Sequence, residues 1–303
     1  MRKTIHLVLL GLGAFLLVAA IVATIWAPGQ VKRTPLDTDS TTHLAGQGEK
    51  LNPATGNVEP IQVRATSYTK ADSKKSDDDV IVFVSTTCLV LDKPDTPDCG
   101  VEGTGEDADP NVVNISTDVF ATDRKTGEAV NDSKYLPDDA EKHDGVVNKF
   151  PFDTEKKSYQ YWDGMLGRAV EAKYSGSEKV DGVETYKFDV DIVDEPAEVV
   201  TDVEGIYSMD KSMWIEPRTG AIIKQEQHEV RTLENGDVLL DLEVAFTDDQ
   251  VKSNASDADD NISSLNLLTK TVPLIGYILG PLLMLIGAAL LILSRRGVGT
   301  RKG

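Results

Sequence analysis

The residue types that could carry catalysis are present, but their spacing does not assemble a catalytic motif. Ser208-Met-Asp-Lys211 pairs a serine with a lysine base, and Lys125-Thr-Gly127 has the composition that accompanies such a pair in acyl-transfer enzymes. Their order in the chain is reversed, and no Ser-Asp-Asn segment lies between them. His43, His143 and His228 lie far apart in loop or strand contexts, which is typical of inert surface histidines. With no glycine-rich phosphate loop either, the sequence predicts a non-enzymatic protein without catalytic residues or a cofactor.

Acidic clusters are the second group of residues that could do chemistry. Asp77–Asp79, the spaced carboxylates of Asp189–Asp194 and Asp257–Asp260 could each offer oxygen ligands to Ca²⁺. The middle cluster lacks both the glycine at position six and the glutamate at position twelve of an EF-hand loop. Because acidic runs usually form solvated faces, the sequence predicts no metal site, with specific Ca²⁺ binding as the alternative.

The two cysteines of the chain, Cys88 and Cys99, are separated by ten residues. Pro94, Pro97 and Gly100 favour a bend in this region. In an oxidising compartment such a pair closes a small disulfide loop, worth about 3 kcal/mol in the chain-entropy model. Metal binding by the two thiols is the lesser alternative, because no further ligands accompany them. The sequence therefore predicts a Cys88–Cys99 disulfide.

Two apolar runs are long enough to cross a membrane. Leu7–Ala27 follows two basic residues near the N-terminus, and Val272–Leu293 is followed by Ser294-Arg-Arg296. A helix of about 20 apolar residues spans a hydrocarbon core of about 30 Å. A cleaved signal peptide is the alternative for the first run, although its apolar region usually has only about 7–15 residues. Because basic flanks stay in the cytoplasm, we expect both termini to be cytoplasmic and residues 28–271 to be extracytoplasmic.

Charge is unevenly placed along the chain. There are 50 acidic and 31 basic residues, a net charge of −19, yet residues 1–27 and 271–303 contain no Asp or Glu. Residues 28–270 therefore carry all 50 acidic residues against 25 basic ones. A region with this much negative charge lacks the basic surface that nucleic-acid binding needs. Anionic lipid surfaces also repel it. The sequence predicts no nucleic-acid partner.

The region between the apolar runs is predicted to be mainly β. Ile61–Tyr68 alternates apolar and polar residues, and Val80–Val90 is a β-branched run. Asp181-Gly182 supplies the positive φ values of a type I′ hairpin turn. Further hairpins are predicted at Pro217–Gly220 and Asn235-Gly236. The expected fold class is therefore mainly β with two transmembrane helices, the outer domain being a large antiparallel sheet.

Three segments share the form acid or amide, x, x, Thr, Gly: Asn52–Gly56, Asp123–Gly127 and Glu216–Gly220. Convergent turn chemistry is one explanation. The other is a curled sheet built from two related halves that are joined near residues 131–150. A short helix is also predicted around Met165–Ala172.

These patterns divide the chain into seven expected segments. They are a cytoplasmic stub (1–6), a transmembrane helix (7–27), an extended leader (28–60), an extracytoplasmic β-rich domain (61–247), an acidic linker (248–271), a second transmembrane helix (272–293) and a basic cytoplasmic tail (294–303). A short helix is the alternative for the start of the acidic linker, residues 248–260. The leader is expected to be extended because it is rich in Pro, Thr, Gly and Asp and shows little periodicity.

Large aromatic side chains concentrate in Phe150–Gly220, where we expect the core of the outer domain to form. Its expected structural aromatic residues are Trp162, Tyr186, Phe188 and Trp214. Such side chains bury the largest apolar area per residue, so they should mark the centre of packing.

The same stretch carries a family resemblance. Three motifs and the two flanking apolar runs carry it: Phe150-Pro-Phe-Asp-Thr-Glu-Lys-Lys157 running to Tyr161-Trp-Asp163, the Tyr174…Val183-x-x-Tyr186-x-Phe188 hairpin, and the Trp214-Ile-Glu-Pro-x-Thr-Gly220 turn. With them the chain resembles, over nearly its whole length, the actinobacterial envelope proteins of the porin PorA family. The resemblance implies a two-span envelope protein without a catalytic motif, and channel formation by analogy with a channel-forming member. The strand, turn and strand around Trp214 are also similar to those of periplasmic lipoprotein carriers, whose curved sheets hold acyl chains.

Together these observations predict a membrane-anchored envelope protein whose acidic outer domain binds or organises envelope components. Two leucine-rich helices without ionisable residues cannot line a wide aqueous pore in a monomer, so channel formation depends on the family analogy. A lipid or glycolipid carrier or sensor is the alternative function. The expected partners are the plasma membrane, an envelope lipid or glycolipid, and a second copy of the chain, since Gly276-x-x-x-Gly280 matches the pattern of packed membrane helices.

Overall fold

The apolar runs at the two ends of the chain form helices. The computed structural model describes residues 2–99 and 109–299, which divide into two units: Met1–Arg33 with Asp260–Gly303, and Thr34–Asp259. The helices are α1 (Arg2–Ile25), the short α2 (Ala27–Val31), α3 (Asp248–Asn266) and α4 (Val272–Gly299), with a π-helical turn at Leu267–Thr271 before α4. Two stretches are long and apolar enough to cross a membrane, Thr4–Ile25 and the apolar part of Asp248–Ser294. Met1 and the last four residues of the predicted basic tail lie outside the described residues.

Close backbone contact at glycines packs α1 against α4 in antiparallel fashion. A Cβ atom on Gly13 would lie 2.6 Å from the carbonyl oxygen of Gly280, and one on Gly276 would lie 2.6 Å from that of Leu16. Small residues permit such an approach, which gains dispersion contacts that lipid alone would not provide. Gly276 and Gly280 therefore match the pattern of packed membrane helices through contact with α1 of the same chain, and association with a second copy stays a prediction.

This packing predicts a difference between two glycines of α1. Gly13→Leu should destabilise the helix pair by about 1–3 kcal/mol, because the new side chain has no room against α4. Gly11→Leu is the matched control, because nothing lies within 4 Å of the position of its Cβ. The free energy of unfolding of the full-length protein, measured in mixed detergent micelles, tests this difference. Equal losses in the two variants would contradict the packing described here.

The second unit contains one ten-stranded antiparallel sheet. Its strands are β1 (Asp39–Asn52), β2 (Asn57–Ala71), β3 (Val80–Leu91), β4 (Val112–Asp123), β5 (Tyr159–Asp163), β6 (Arg168–Val180), β7 (Val183–Val200), β8 (Val203–Ile215), β9 (Ile222–Leu233) and β10 (Val238–Phe246). Their order across the sheet is β4-β3-β2-β1-β10-β9-β8-β7-β6-β5. The predicted antiparallel sheet is confirmed, and it is curled. Its two halves are meanders of four and six strands that join into one continuous sheet.

The first and last strands meet at the middle of the sheet. Leu44 of β1 pairs with Phe246 of β10, and Lys50 pairs with Leu240, so β1 starts where β10 ends. The chain therefore enters and leaves the sheet at the same end, on neighbouring strands. This corrects the expected extended leader at residues 28–60, because much of that segment forms β1 and the start of β2. β1 was missed because its residues are mostly small and polar and alternate only between exposed and half-buried positions.

Residues 124–158 connect the two edge strands, β4 and β5, and we call this segment the connection. Its backbone forms isolated bridges from Thr122 to Ala129, from Glu128 to Val146 and from Val146 to Tyr161. These bridges fill the gap between the edge strands at one end of the curl. Edge strands expose unpaired backbone groups, so the connection also protects them.

The acidic segment that follows β10 is helical and packed. In α3, Ala255 and Ala258 are buried against Val183 and Ile223 of the sheet. The side-chain amide of Asn254 donates to the carbonyl oxygen of Ile223 at 3.1 Å. Of the two expectations for this acidic segment, a linker or a short helix, the structure has the helix, and its first part packs on the sheet.

Local turn chemistry explains the hairpins and the repeated Thr-Gly segments. The predicted turns at Asp181-Gly182, Pro217–Gly220 and Asn235-Gly236 connect β7, β9 and β10 to the strands before them, as expected. The three acid-or-amide segments each end in a glycine with positive φ, namely 72° at Gly56, 69° at Gly127 and 73° at Gly220. In the last two, the acidic side chain accepts backbone N–H groups two and three residues ahead. The short helix predicted at residues 165–172 is wrong, because a turn at residues 164–167 leads directly into β6.

Candidate functional site

The concave face of the curled sheet forms a polar chamber of about 740 Å³ between β4, the connection, the β5–β6 turn, β8 and β9. Because strand side chains alternate in direction, every second residue of β8 and β9 faces inward. Tyr207 pairs across the strands with Arg231, and Lys211 pairs with Gln227. This face therefore places ionisable groups inside the sheet, where most antiparallel sheets place apolar ones.

Acidic groups outnumber basic groups in the lining of the chamber. The lining includes five carboxylates and two basic side chains: Asp118, Asp139, Glu141, Asp163 and Glu229, with Lys211 and Arg231. Low-dielectric walls strengthen the field that such a charge imbalance produces. The chamber thus attracts cations and offers many hydrogen-bond acceptors.

Asp163 is the best-anchored carboxylate of the chamber. One oxygen accepts the backbone N–H groups of Met165 and Leu166 at 3.1 and 2.9 Å, and the other accepts the Tyr207 hydroxyl at 3.1 Å. Burial, together with the charge of Asp163, raises the pKa of Tyr207 well above its usual range. Tyr207 therefore stays protonated and acts as a hydrogen-bond donor to Asp163.

Lys211 is the group most available to a ligand. Burial lowers the pKa of Lys211, although the charges of Asp163 and Glu229 oppose this shift. Arg231, by contrast, is already occupied, since it donates to the carboxylate of Glu229 and to the carbonyl oxygen of Val199. The Lys211 ammonium lies 5.6 Å from the centre of the Tyr161 ring. Among the described residues, none forms a hydrogen bond or ion pair with it, so its donors are available to a polar ligand in the chamber.

His143 fixes the connection to β4 at the edge of the chamber. Its Nε2 lies 2.8 Å from Asp118 Oδ2, and its Nδ1 lies 3.1 Å from the carbonyl oxygen of Glu141. Burial lowers the pKa of His143, but Asp118 and the Glu141 carbonyl outweigh this effect, and the net direction is a raised pKa. With 1% of its side chain exposed, His143 is not the inert surface residue that the sequence predicted.

The predicted structural aromatic residues lie in three different environments. Phe188 is fully buried in the largest apolar cluster, 4.8 Å from the ring of Phe150, and Tyr186 packs at the edge of that cluster. Trp162 lies in a second cluster beside His143, at 4.4 Å between ring centroids. Trp214 lies on the opposite face of the sheet, where the ammonium of Lys224 sits 4.4 Å from its ring and Glu178 accepts its indole N–H.

Cys88 and Cys99 are joined by a disulfide, with their Cα atoms 5.3 Å apart. The loop that this bond closes is also held by Arg64, which pairs with Asp92 at 2.8 Å and with Asp98 at 3.2 Å. Gly100, which was expected to help bend this region, lies outside the described residues. The disulfide lies away from the chamber lining, so it stabilises a loop and does not shape the candidate site.

Comparison with known proteins identifies the family. The model of the porin PorA family matches residues 5–289 of this chain. The chain belongs to the porin PorA family. A relative from Corynebacterium amycolatum, named porin PorA, is 26% identical over 224 residues, which is 63% of this chain. The present chain spans 58% of the length of that relative. The family resemblance seen in the sequence motifs is therefore confirmed.

Two of the motifs that resemble the PorA family contact each other in the structure. The backbone N–H of Phe150 donates to the carbonyl oxygen of Gly220 at 2.9 Å, and that of Thr154 donates to Pro217 at 2.7 Å. The carboxylate of Glu216, which is 2% exposed, accepts the backbone N–H and the hydroxyl of Thr219 at 2.8 and 2.6 Å. In this family member the motifs therefore fix the connection to the β8–β9 turn.

Sequence reasoning missed the residues that form the chamber. Asp163 was quoted only as the end of a motif, and Lys211 only as part of a rejected Ser-x-x-Lys pattern. Asp118 and Glu229 were not singled out at all. The available signal was an acidic or basic residue at an inward position of a strand whose other inward residues are apolar, as for Lys211 between Met209 and Met213.

Lys149 lies at the junction between the connection and the β8–β9 turn. Its ammonium is 3.4 Å from the Thr34 hydroxyl and 3.7 Å from the centre of the Phe152 ring. Burial lowers the pKa of Lys149 to about 7, although the charge of Glu216 opposes this shift. The lysine pKa in the unfolded chain is about 10.4, so between these pH values the unfolded state binds more protons than the folded state does.

This difference in proton binding predicts that Lys149 makes stability rise with pH from about 7 toward 10. The wild-type free energy of unfolding should gain up to about 1.4 kcal/mol per pH unit relative to Lys149→Met over this window. Denaturant titrations of the full-length protein in detergent at pH 7, 8 and 9 measure the difference. Lys142→Met, an exposed position of the same connection, is the control and should keep the wild-type slope. Parallel profiles for wild type and Lys149→Met would contradict the depressed pKa.

Proposed function

We propose that this PorA-family protein is a non-enzymatic, membrane-anchored envelope protein whose β unit binds a polar envelope component in its chamber. The ligand class that fits is a hydroxyl-rich compound such as the carbohydrate head of a glycolipid. The observation that carries this proposal is the charged, roughly 740 Å³ chamber on the concave face of the sheet. The ammonium of Lys211 and the exposed carboxylate of Asp139 provide a donor and an acceptor in its lining.

The polarity of the chamber argues against the binding of a bare acyl chain. An acyl chain would remove the exposed carboxylates of Asp139 and Glu141 from water without replacing their hydrogen bonds, which is costly. Sugar hydroxyls can donate to carboxylates and accept from an ammonium, and Trp162 and Met209 add apolar surface to the same lining. The earlier alternative of a lipid or glycolipid carrier is thereby narrowed to recognition of the polar head.

An extracytoplasmic β unit agrees with four independent features. The two apolar runs have basic flanks, the body between them is strongly acidic, and Cys88 is joined to Cys99. α1 and α4 are antiparallel, so the two ends of the chain lie at the same end of the helix pair. In our proposal residues 28–271 therefore lie outside the plasma membrane and both termini lie in the cytoplasm.

Channel formation is a second candidate, and the name of the Corynebacterium relative is what favours it. The outer face of the present sheet carries charged residues such as Asp241, Glu243 and Lys224, of which Glu243 is exposed to solvent. A lipid-facing barrel instead needs an apolar outer band. A channel made by this chain would therefore require several copies, because one pair of apolar helices cannot enclose water.

Native mass spectrometry of the full-length protein, purified from its host in mild detergent, tests ligand binding. We expect the wild type to carry a carbohydrate-containing compound, which is released on denaturation. Lys211→Met should lower the bound fraction by about tenfold or more, because an ammonium that donates to a ligand contributes at least about 1.4 kcal/mol. Lys173→Met, an exposed lysine of β6, is the control.

Wild-type protein that carries only detergent or bare lipid would overturn the proposal, as would equal occupancy in Lys211→Met. Planar-bilayer recording of the same preparation separates the second candidate. Stepwise conductance that needs no bound ligand and is unchanged in Lys211→Met would favour the channel over the binding protein.

A further inference from the structure

Three side chains that could bind a metal converge where the connection meets β4. Asp118 lies on β4, and Glu141 and His143 lie on the connection. One ligand atom from each of the three lies within 4.8 Å of the other two. Two carboxylate oxygens and one imidazole nitrogen are a donor set that zinc accepts.

The imidazole is already oriented as a metal-binding histidine would be. Nδ1 faces the carbonyl oxygen of Glu141 at 3.1 Å, and since a carbonyl can only accept, Nδ1 carries a proton. This contact leaves Nε2 directed at Asp118, and a hydrogen bond from the second ring nitrogen to a carbonyl is the usual support of a metal-bound histidine. The ring is also held between Phe120 and Trp162, with centroids 5.6 and 4.4 Å away.

The charge around these residues favours a cation. Both carboxylates of the group line the chamber, where acidic side chains outnumber basic ones. A divalent ion between Asp118 and Glu141 would offset part of this excess negative charge.

Little movement is needed to accommodate the ion. His143 Nε2 and Asp118 Oδ2 are 2.8 Å apart, whereas two ligands of a tetrahedral zinc ion lie about 3.3 Å apart. The Asp118 side chain is 36% exposed, and Glu141 is exposed, so both carboxylates can shift while the ring stays in place.

We propose that Asp118, Glu141 and His143 form a binding site for a zinc-type divalent cation that links β4 to the connection. Zinc fits better than Ca²⁺ or Mg²⁺, because the latter two prefer oxygen ligands throughout. Three protein ligands leave a fourth position that opens to the chamber, where water or a ligand can bind. The bound ion ties the connection across the gap between the sheet edges, independently of which compound the chamber holds.

Zinc titration of the metal-stripped, tag-free, full-length protein in detergent tests the site. Isothermal titration calorimetry should show saturable binding of one Zn²⁺ per chain, and the thermal midpoint of the β unit should rise with Zn²⁺. Glu141→Gln and Asp118→Asn should each weaken this binding by at least about tenfold. Asp118→Asn keeps a hydrogen-bond acceptor for His143, and Glu141 is exposed, so both variants should fold.

Asp139→Asn is the matched control, because Asp139 lines the chamber on the same connection but lies outside the three-residue group. It should bind Zn²⁺ as the wild type does. Equal losses in Asp139→Asn and Glu141→Gln would overturn the site in favour of diffuse acidic attraction. Ca²⁺ binding as strong as Zn²⁺ binding would also overturn the site. Zn²⁺ binding at wild-type strength in both Asp118→Asn and Glu141→Gln would overturn it as well. Because none of these measurements involves Lys211 or a carbohydrate, failure of the zinc site leaves the proposed function standing, and the reverse also holds.

Discussion

The connection must be fixed onto the sheet, and the contact between Phe150 and the Glu216–Gly220 turn is what fixes it. The backbone of Phe150 pairs with Gly220, whose Cβ position is blocked by the Phe150 carbonyl, and the Phe150 ring fills the centre of the largest apolar cluster. The carboxylate of Glu216 is buried, and its hydrogen bonds are made within its own turn, so the turn leaves no buried carboxylate without partners where the connection packs on it. Without this contact, the edge strands β4 and β5 would lack a bridge, and the chamber would lose the wall that carries Glu141 and His143.

Strand order imposes a second constraint, because it decides where the chain enters and leaves the sheet. A single meander would put the first and last strands at opposite edges. Here the two meanders run outward from β1 and β10, so the chain ends meet in the middle of the sheet. Two membrane helices can then follow from neighbouring strands without a long crossing segment. This strand order requires a 35-residue connection between the two edge strands, β4 and β5, and the connection fills the gap between them.

The sequence predicted the features that depend on neighbouring residues. The Asp181-Gly182 turn, the two apolar helices and the alternation of Ile61–Tyr68 could be predicted because the interactions that determine them act over a few residues. β1 was not readable, since Asp39–Asn52 has the composition of a linker and becomes a strand only between β2 and β10. The chamber could not be predicted from the sequence either. Asp163, Tyr207 and Glu229 lie on three separate strands, and only the curl of the sheet brings their side chains together.

Polarity on both faces of the sheet limits how this chain can act as a member of a porin family. The outer face carries Asp241 and Glu243, and the inner face carries Glu229 and Arg231, so neither face of this region suits contact with lipid. The sheet therefore suits contact with water, while the surfaces that suit contact with lipid lie on α1 and α4, where Phe15 and Leu285 are 67% and 69% exposed. Passage of a solute across the membrane would need an assembly of helix pairs. Binding of a solute needs only the open chamber that one chain forms. Our proposal therefore rests on the chamber and not on a channel.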